Sequence, residues 1–229
     1  LARAIERIAE ENGAQFTYGV EVEQVLARNG RIGGVRLRNG EVIESESVIV
    51  NADSAAIAAG LFGRNVATAV SPLRRDQRSL SAMTWVMNAK TSGFPLVRHN
   101  VFFSNDYQAE FDDIFGRARL PREPTVYVCA QDRSDDPAEF AGGQERLLVL
   151  VNAPATGDAD RYTGAEVAEC EERTFAVLKR LGLDVDRASA DAVLTTPAGF
   201  HDLFPATGGA LYGAASHGWM ASFSRPGGK

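Results

Sequence analysis

The sequence predicts an α+β (mixed α/β) fold: a three-stranded meander, followed by a mixed sheet covered by helices on one face. Three observations carry that expectation. Period-two apolar runs outnumber helical stripes, strands and helices alternate irregularly, and one long amphipathic helix over 164–181 is available as a cover.

At the start, Leu1, Ile5, Ile8 and Ala9 fall at helical spacing, and Gly13 follows as a C-cap residue. The period then changes. Residues 16–26, 31–37 and 42–50 read as strands, joined by Arg28-Asn29-Gly30 and by Asn39-Gly40, the second a strong hairpin signal. Asp53 or Ser54 can cap a helix over 55–61, and the polar stretch 64–78 reads as a boundary with room for a short helix.

Beyond the boundary, 79–89 and 101–103 read as strands and 106–115 as an acidic, aromatic-bearing helix. Leu120-Pro121-Arg122-Glu123-Pro124 breaks that helix before a strand over 125–130, and 132–143 is a loop. The near-continuous apolar run 146–152 predicts a strand buried on both faces. In the long helix Val167, Cys170, Thr174, Val177, Leu178 and Leu181 form one stripe, with Thr163 as N-cap and Gly182 as C-cap residue. Residues 188–196 supply a further strand, and 199–228 is rich in Gly, Ala and aromatic residues. No internal repeat or low-complexity tract is present.

Composition bounds the function. The 229 residues, 45% hydrophobic and 24% charged, suit one large domain or two small ones. A net charge of −6 and scattered arginines argue against a nucleic-acid partner, and Arg74-Arg75 reads as a solvated loop. Cys129 and Cys170 offer no disulfide framework; Cys129, in an apolar run, reads as a small buried hydrophobe. The chain reads as cytoplasmic. No run reaches the ~18 apolar residues of a spanning helix. The sequence begins inside a helical pattern without Met and stops at Arg225-Pro-Gly-Gly-Lys229, as expected of a piece of a longer protein.

Nucleophilic and metal constellations do not emerge. His99, His201 and His217 sit in no HExxH or Cys/His pattern, so neither catalytic nor metal residues are assigned. Gly30 to Gly34 and Gly208-Gly209 do not open a helix after a strand in GxGxxG form. Asp132, Asp135 and Asp136 read as a solvated acidic loop. Phe102, Phe103, Tyr107, Phe111 and Phe115 form a dense aromatic group, either core packing or the wall of a tunnel for a lipid-like ligand.

Particular motifs add a resemblance. A helix, then Gly13-Ala14 through Val22 to Val25, then Asn29-Gly30-Arg31-Ile32-Gly33-Gly34-Val35, then Ser47-Val48-Ile49-Val50-Asn51-Ala52-Asp53, resembles the segment that flavin amine oxidases and phytoene-desaturase-type enzymes place before their substrate domain. Tyr107, Phe111, Ile114 and Phe115, followed by Leu120-Pro121, Pro124 and Tyr127-Val128, are similar to a helix and strand of bacterial carotenoid desaturases. So are the strand 145–152, Gly209-Ala210-Leu211-Tyr212-Gly213 and Ser224-Arg225-Pro226. Cys129-Ala130-Gln131-Asp132-Arg133 resembles the branch acting on hydroxylated or methoxylated acyclic carotenoids, the methoxyneurosporene (hydroxyneurosporene) dehydrogenases.

The resemblance implies a part of an FAD-dependent carotenoid dehydrogenase. Residues 1–62 would belong to its FAD-binding domain and 63–229 to its substrate-binding domain, ending before a C-terminal flavin motif. It implies that the backbone of Val22, and less directly Glu21, meets the adenine of FAD. With the GxGxxG region and the C-terminal flavin segment outside this sequence, these residues alone are not expected to retain FAD or activity. The resemblance also implies that Trp85, Phe102, Phe103, Phe111 and Phe115 line the wall for an acyclic carotenoid. Tyr212 and His217 would lie towards the flavin, with no role assigned. A membrane-soluble substrate implies peripheral membrane contact by the full enzyme. Two alternatives stay open: another flavin amine oxidase-like enzyme, or a non-enzymatic module that binds apolar ligands.

Overall fold

The computed structural model describes residues 1–136, 142–188 and 190–215. These divide into two compact units, Leu1–Asn51 with Ile57–Val70, and Ala52–Ala56 with Ser71 onward.

In the first unit, α1 (Ala2–Glu11) forms where the helical stripe predicts it, and Gly13 takes the left-handed conformation (φ +89°) just past its end. The three antiparallel strands β1 (Val22–Arg28), β2 (Arg31–Leu37) and β3 (Val42–Glu44) are the expected meander. Asn29 and Gly30, at φ +51° and +74°, close a two-residue turn between the paired Arg28 and Arg31, the geometry of a type I′ hairpin. Both outer strands are shorter than the apolar pattern suggests. Gly19, at φ +71°, interrupts the chain before β1. A Ser45 turn, in which the hydroxyl donates to the Ser47 carbonyl and accepts from the Ser47 N–H, ends β3. Gly34 is required by sheet contact: a Cβ there would lie 2.0 Å from the Ile43 carbonyl oxygen, at a φ of +128°.

Asp53 accepts from the Ala55 N–H at 2.8 Å and caps α2 (Ser54–Ala58). The boundary region holds α3 (Arg64–Ala67) and one 3₁₀ turn, Arg75–Gln77.

The second unit is built on β4 (Ser81–Gly93), β5 (His99–Phe102), β6 (Val126–Ala130), β7 (Gln144–Ala153), β8 (Leu183–Val185) and β9 (Asp191–Thr195). Their order is β5-β6-β7-β4, with β8 and β9 on the far side of β4, and every pairing is antiparallel. α4 (Tyr107–Phe111) runs into a π-helical turn, Asp112–Gly116, where one continuous helix was expected.

α5 (Gly164–Arg180) covers one face of the sheet. Thr163 and Glu166 form a reciprocal capping box, and Gly182 (φ +93°) ends the helix. Cys170, Phe175, Val177 and Leu178 on α5 join Met83, Trp85, Met87, Val126, Val128, Leu147, Val149 and Val151 in the core. β8 and α6 (Pro197–Leu203) are additions to the sequence reading.

Candidate functional site

Residues directly opposite in antiparallel strands share a face, so the register divides the second unit's sheet into two surfaces. Phe102, Val126, Val151, Met83 and, one layer on, Val128, Val149, Trp85 point to α5. Val101, Tyr127, Leu150, Thr84 and Thr195 form one row of the opposite face; His99, Cys129, Leu148, Val86 and Val193 form the next.

Among the described residues these two rows form an apolar, partly exposed surface, and the next row, Asn88, Arg146 and Asp191, is polar. Val86 and Val101 are each 50% exposed and Val193 66%, while Tyr127, Cys129, Leu148 and Leu150 are half-buried. The expectation that 146–152 is buried on both faces is therefore corrected: Leu147, Val149 and Val151 are buried, but Leu148 and Leu150 face outward and keep solvent contact. Cys129 is likewise half-buried rather than core. Both faces of β4 are covered only over Ser81–Trp85.

The strand alternation carries on past β5, exposing Phe103 and burying Ser104. Phe103 starts a chain of rings through Tyr107 (6.0 Å between centroids), Phe111 (4.9 Å) and Phe115 (5.9 Å). The i, i+4 spacing on α4, prolonged by the π turn, keeps the last three on one stripe. α4 is pinned to the sheet by Glu110. This buried carboxylate accepts from the Thr125 N–H and from the side-chain amide of Asn152, which lies on the open-face side of β7. Nearby, Asp113 is also buried. Burial would raise its carboxyl, but bonds from Arg119, the Arg122 N–H and Arg117 outweigh it and hold it below the ordinary value.

The expected aromatic wall thus divides. Phe103, Phe111 and Phe115 lie on the exposed ladder with Tyr107. Trp85 and Phe102, 2% and 4% exposed, lie on the α5 side, where Trp85 meets Phe175 edge-on and donates to Glu171, and Phe102 meets Phe94. The open-face positions Val86, Leu148, Leu150 and Val193 were missed by the sequence reading, because the parity of a strand becomes visible only once its partners are known.

The Cys129–Arg133 motif acts mainly as a clasp. Asp132 accepts from the backbone and guanidinium of Arg146, and Arg133 makes a two-pronged bond to Glu145, 2.7 Å on each side. Arg133 is 9% and Glu145 1% exposed, so this is a buried ion pair. A second clasp joins Arg78 to Asp158 at 2.9 and 3.0 Å and to the carbonyls of Ala155 and Ala206. It abuts Gly208, where a Cβ would collide with the Arg78 guanidinium.

In the first unit, Leu37 spends both backbone groups on the turn to β3, accepting from the Gly40 N–H and donating to the Glu41 carbonyl. Its partner Val22 is therefore a non-hydrogen-bonded pair, and the Val22 N–H and C=O point to the outer edge of β1. A bulge at Glu23 keeps that edge in phase with Val25, whose N–H donates outward to Phe62. The Glu21 carbonyl is instead taken by the Arg38 N–H, and its carboxylate by the Arg38 guanidinium.

His201 accepts from the Gly208 N–H at 3.3 Å, and Tyr212 is 68% exposed. His217 and Ser224-Arg225-Pro226 lie outside the described residues. Among the described residues, no three His, Cys, Asp or Glu side chains are grouped to hold a metal, and no helix is long and apolar enough to cross a membrane.

One sheet face is thus sealed by α5, and the other keeps an exposed apolar patch of the kind that marks an interaction surface. No family model matches the chain. It is 53% identical over 228 residues to a hydroxyneurosporene desaturase of Rubrivivax gelatinosus, covering 98% of this chain and 43% of that protein. It is 39% identical over 226 residues to a hydroxyneurosporene desaturase of Cereibacter sphaeroides, covering 99% of this chain and 44% of that protein. An oxidoreductase structure from Methanosarcina mazei matches with a TM-score of 0.44 and 18% identity, over 84% of this chain and 41% of that one. The chain belongs to the carotenoid desaturase family, and it spans a little under half the length of these curated relatives.

Proposed function

We propose that this chain supplies the substrate-binding region of an FAD-dependent desaturase acting on an acyclic hydroxy- or methoxy-carotenoid such as hydroxyneurosporene. The observation that carries the reading is the open apolar sheet face, flanked by the Phe103–Tyr107–Phe111–Phe115 ladder. An extended polyene offers nothing but apolar surface along most of its length, and burying it gains roughly 25 cal/mol per Å². Val86, Val101, Leu148, Leu150 and Val193 form the floor in this reading, the ladder forms one wall, and Trp85 and Phe102 brace the floor from beneath.

The flavin, when bound, supplies the acceptor for the hydrogens removed. This chain's own tasks are to hold the polyene in register and to exclude water. The outward N–H and C=O of Val22 suit the edge of an adenine, which needs one donor and one acceptor at fixed spacing. Glu21, whose carbonyl and carboxylate are both engaged by Arg38, contributes by fixing that strand end. The full enzyme meets the membrane peripherally to collect its substrate.

The test is incubation of the full-length protein with carotenoids, read by pigment absorption. A red shift with hydroxy- or methoxyneurosporene but not phytoene is expected. A shift with phytoene overturns the assigned substrate, and no shift with any of them, despite bound flavin, overturns the desaturase reading.

A further inference from the structure

We propose that the His99–Tyr127 pair anchors the oxygen-bearing end of the carotenoid and so sets the preference for a hydroxylated over a plain hydrocarbon substrate. This rests on the reading of the open face as the carotenoid floor.

The two rows are apolar except at their ends, while the next row on the same face, Asn88, Arg146 and Asp191, is polar and exposed, with the Arg146 guanidinium already engaged by Asp132. At the β9 end, Thr84 is 6% exposed and closed off from a ligand, and Thr195 directs its methyl onto Gly199. At the β5 end, the His99 Nδ1 and Tyr127 Oη lie 2.7 Å apart, with the two rings stacked at 6.2 Å and 16°. His99 is exposed and Tyr127 half-buried, with Val101 and Leu150 opposite Tyr127 across the sheet.

One hydrogen bond inside the pair leaves it able to serve a ligand in either arrangement. If Tyr127 donates to Nδ1, its oxygen still accepts, and the His99 Nε2–H donates. If Nδ1–H donates to Tyr127, the tyrosine hydroxyl can donate to a ligand in place of the neighbouring Cys129 sulfur, a weak acceptor. Burial, with a contribution from neighbouring Cys129, raises the Tyr127 hydroxyl above its ordinary value, so it keeps its proton. A carotenoid hydroxyl can satisfy both capacities and a methoxy oxygen only the donor. A hydrocarbon end would strip water from the pair and return nothing. Sites built to hydrogen-bond a substrate reject the analogue lacking the group far more strongly than apolar pockets reject a lost methylene.

The experiment uses the full-length flavin-loaded enzyme with hydroxyneurosporene and neurosporene, its hydrocarbon counterpart, in competition. Tyr127→Phe and His99→Leu should each lower the ratio of kcat/KM values, hydroxylated over hydrocarbon, by about 10- to 100-fold. The fall should come from the hydroxylated substrate. Binding without turnover, read by quenching of protein fluorescence by the polyene, should lose the same preference. Val193→Ala, an apolar floor position, should weaken both substrates equally. Should Tyr127→Phe fail to fold, His99→Leu at its exposed position carries the test. An unchanged ratio in a well-folded variant, or a parent with no preference between the two, overturns the proposal alone. A parent that desaturates neither overturns the desaturase reading and the proposal together.

Discussion

The two faces of the six-stranded sheet come from the same strands and nearly the same side chains, yet they have opposite fates. Towards α5, Met83, Val126, Val128, Leu147, Val149 and Val151 are wholly buried. On the other side, Val86, Val101 and Val193 stand half or more exposed beside half-buried Leu148 and Leu150. The difference teaches that an apolar residue on a strand answers two demands. One parity closes the core and stabilises the fold; the other leaves an apolar surface in contact with solvent, which another apolar molecule can cover.

That contrast can be broken at several points. The largest effect is expected at the clasp on the sealed side. Glu145→Ala leaves the Arg133 guanidinium buried without its carboxylate and should cost about 3–5 kcal/mol in chemical denaturation. Leu178→Ala, on the sheet-facing side of α5, should cost about 2–5 kcal/mol through lost burial and the cavity left behind. Gly34→Ala in the meander forces a methyl against the Ile43 carbonyl and should cost roughly 1–3 kcal/mol, read from thermal unfolding of the first unit. At the small end, Val193→Thr should change stability by no more than about 0.5 kcal/mol while weakening carotenoid binding. A large stability loss there would mean that the open face is core.

The Asp158 clasp sharpens the contrast through pH. The bonds from Arg78 hold the Asp158 carboxyl below the ordinary range, against the opposing effect of burial. A depressed folded-state value stabilises the protein above the unfolded carboxyl value, about 4, and that contribution is lost as the pH falls through the folded value. Asp158→Asn should therefore lower Tm at pH 7 and flatten the decline of Tm below pH 4. Identical acid limbs in the two proteins would contradict the assignment.

Much of the fold was legible because it is encoded locally. Thr163, Glu166 and Gly182 bracket α5 by their own capping chemistry, and Asn29-Gly30 forces a tight turn whatever surrounds it. The open face was not legible, since Leu148 and Leu150 differ from Leu147 and Val149 only in the direction they point, which distant partners decide. The aromatic group was half legible. Spacing alone aligns Tyr107, Phe111 and Phe115, but the strand pleat separates Phe103 from Phe102, and nothing local distinguishes the two. His99 and Tyr127 lie 28 residues apart and meet only through the β5–β6 register.

The most direct test places charge on the open face. Val86→Lys and Val193→Glu, introduced singly into the full-length protein, should leave folding and flavin content intact. Each should abolish the red shift expected of the full-length parent with hydroxyneurosporene. A full red shift in both well-folded variants would contradict the claim that this face holds the polyene.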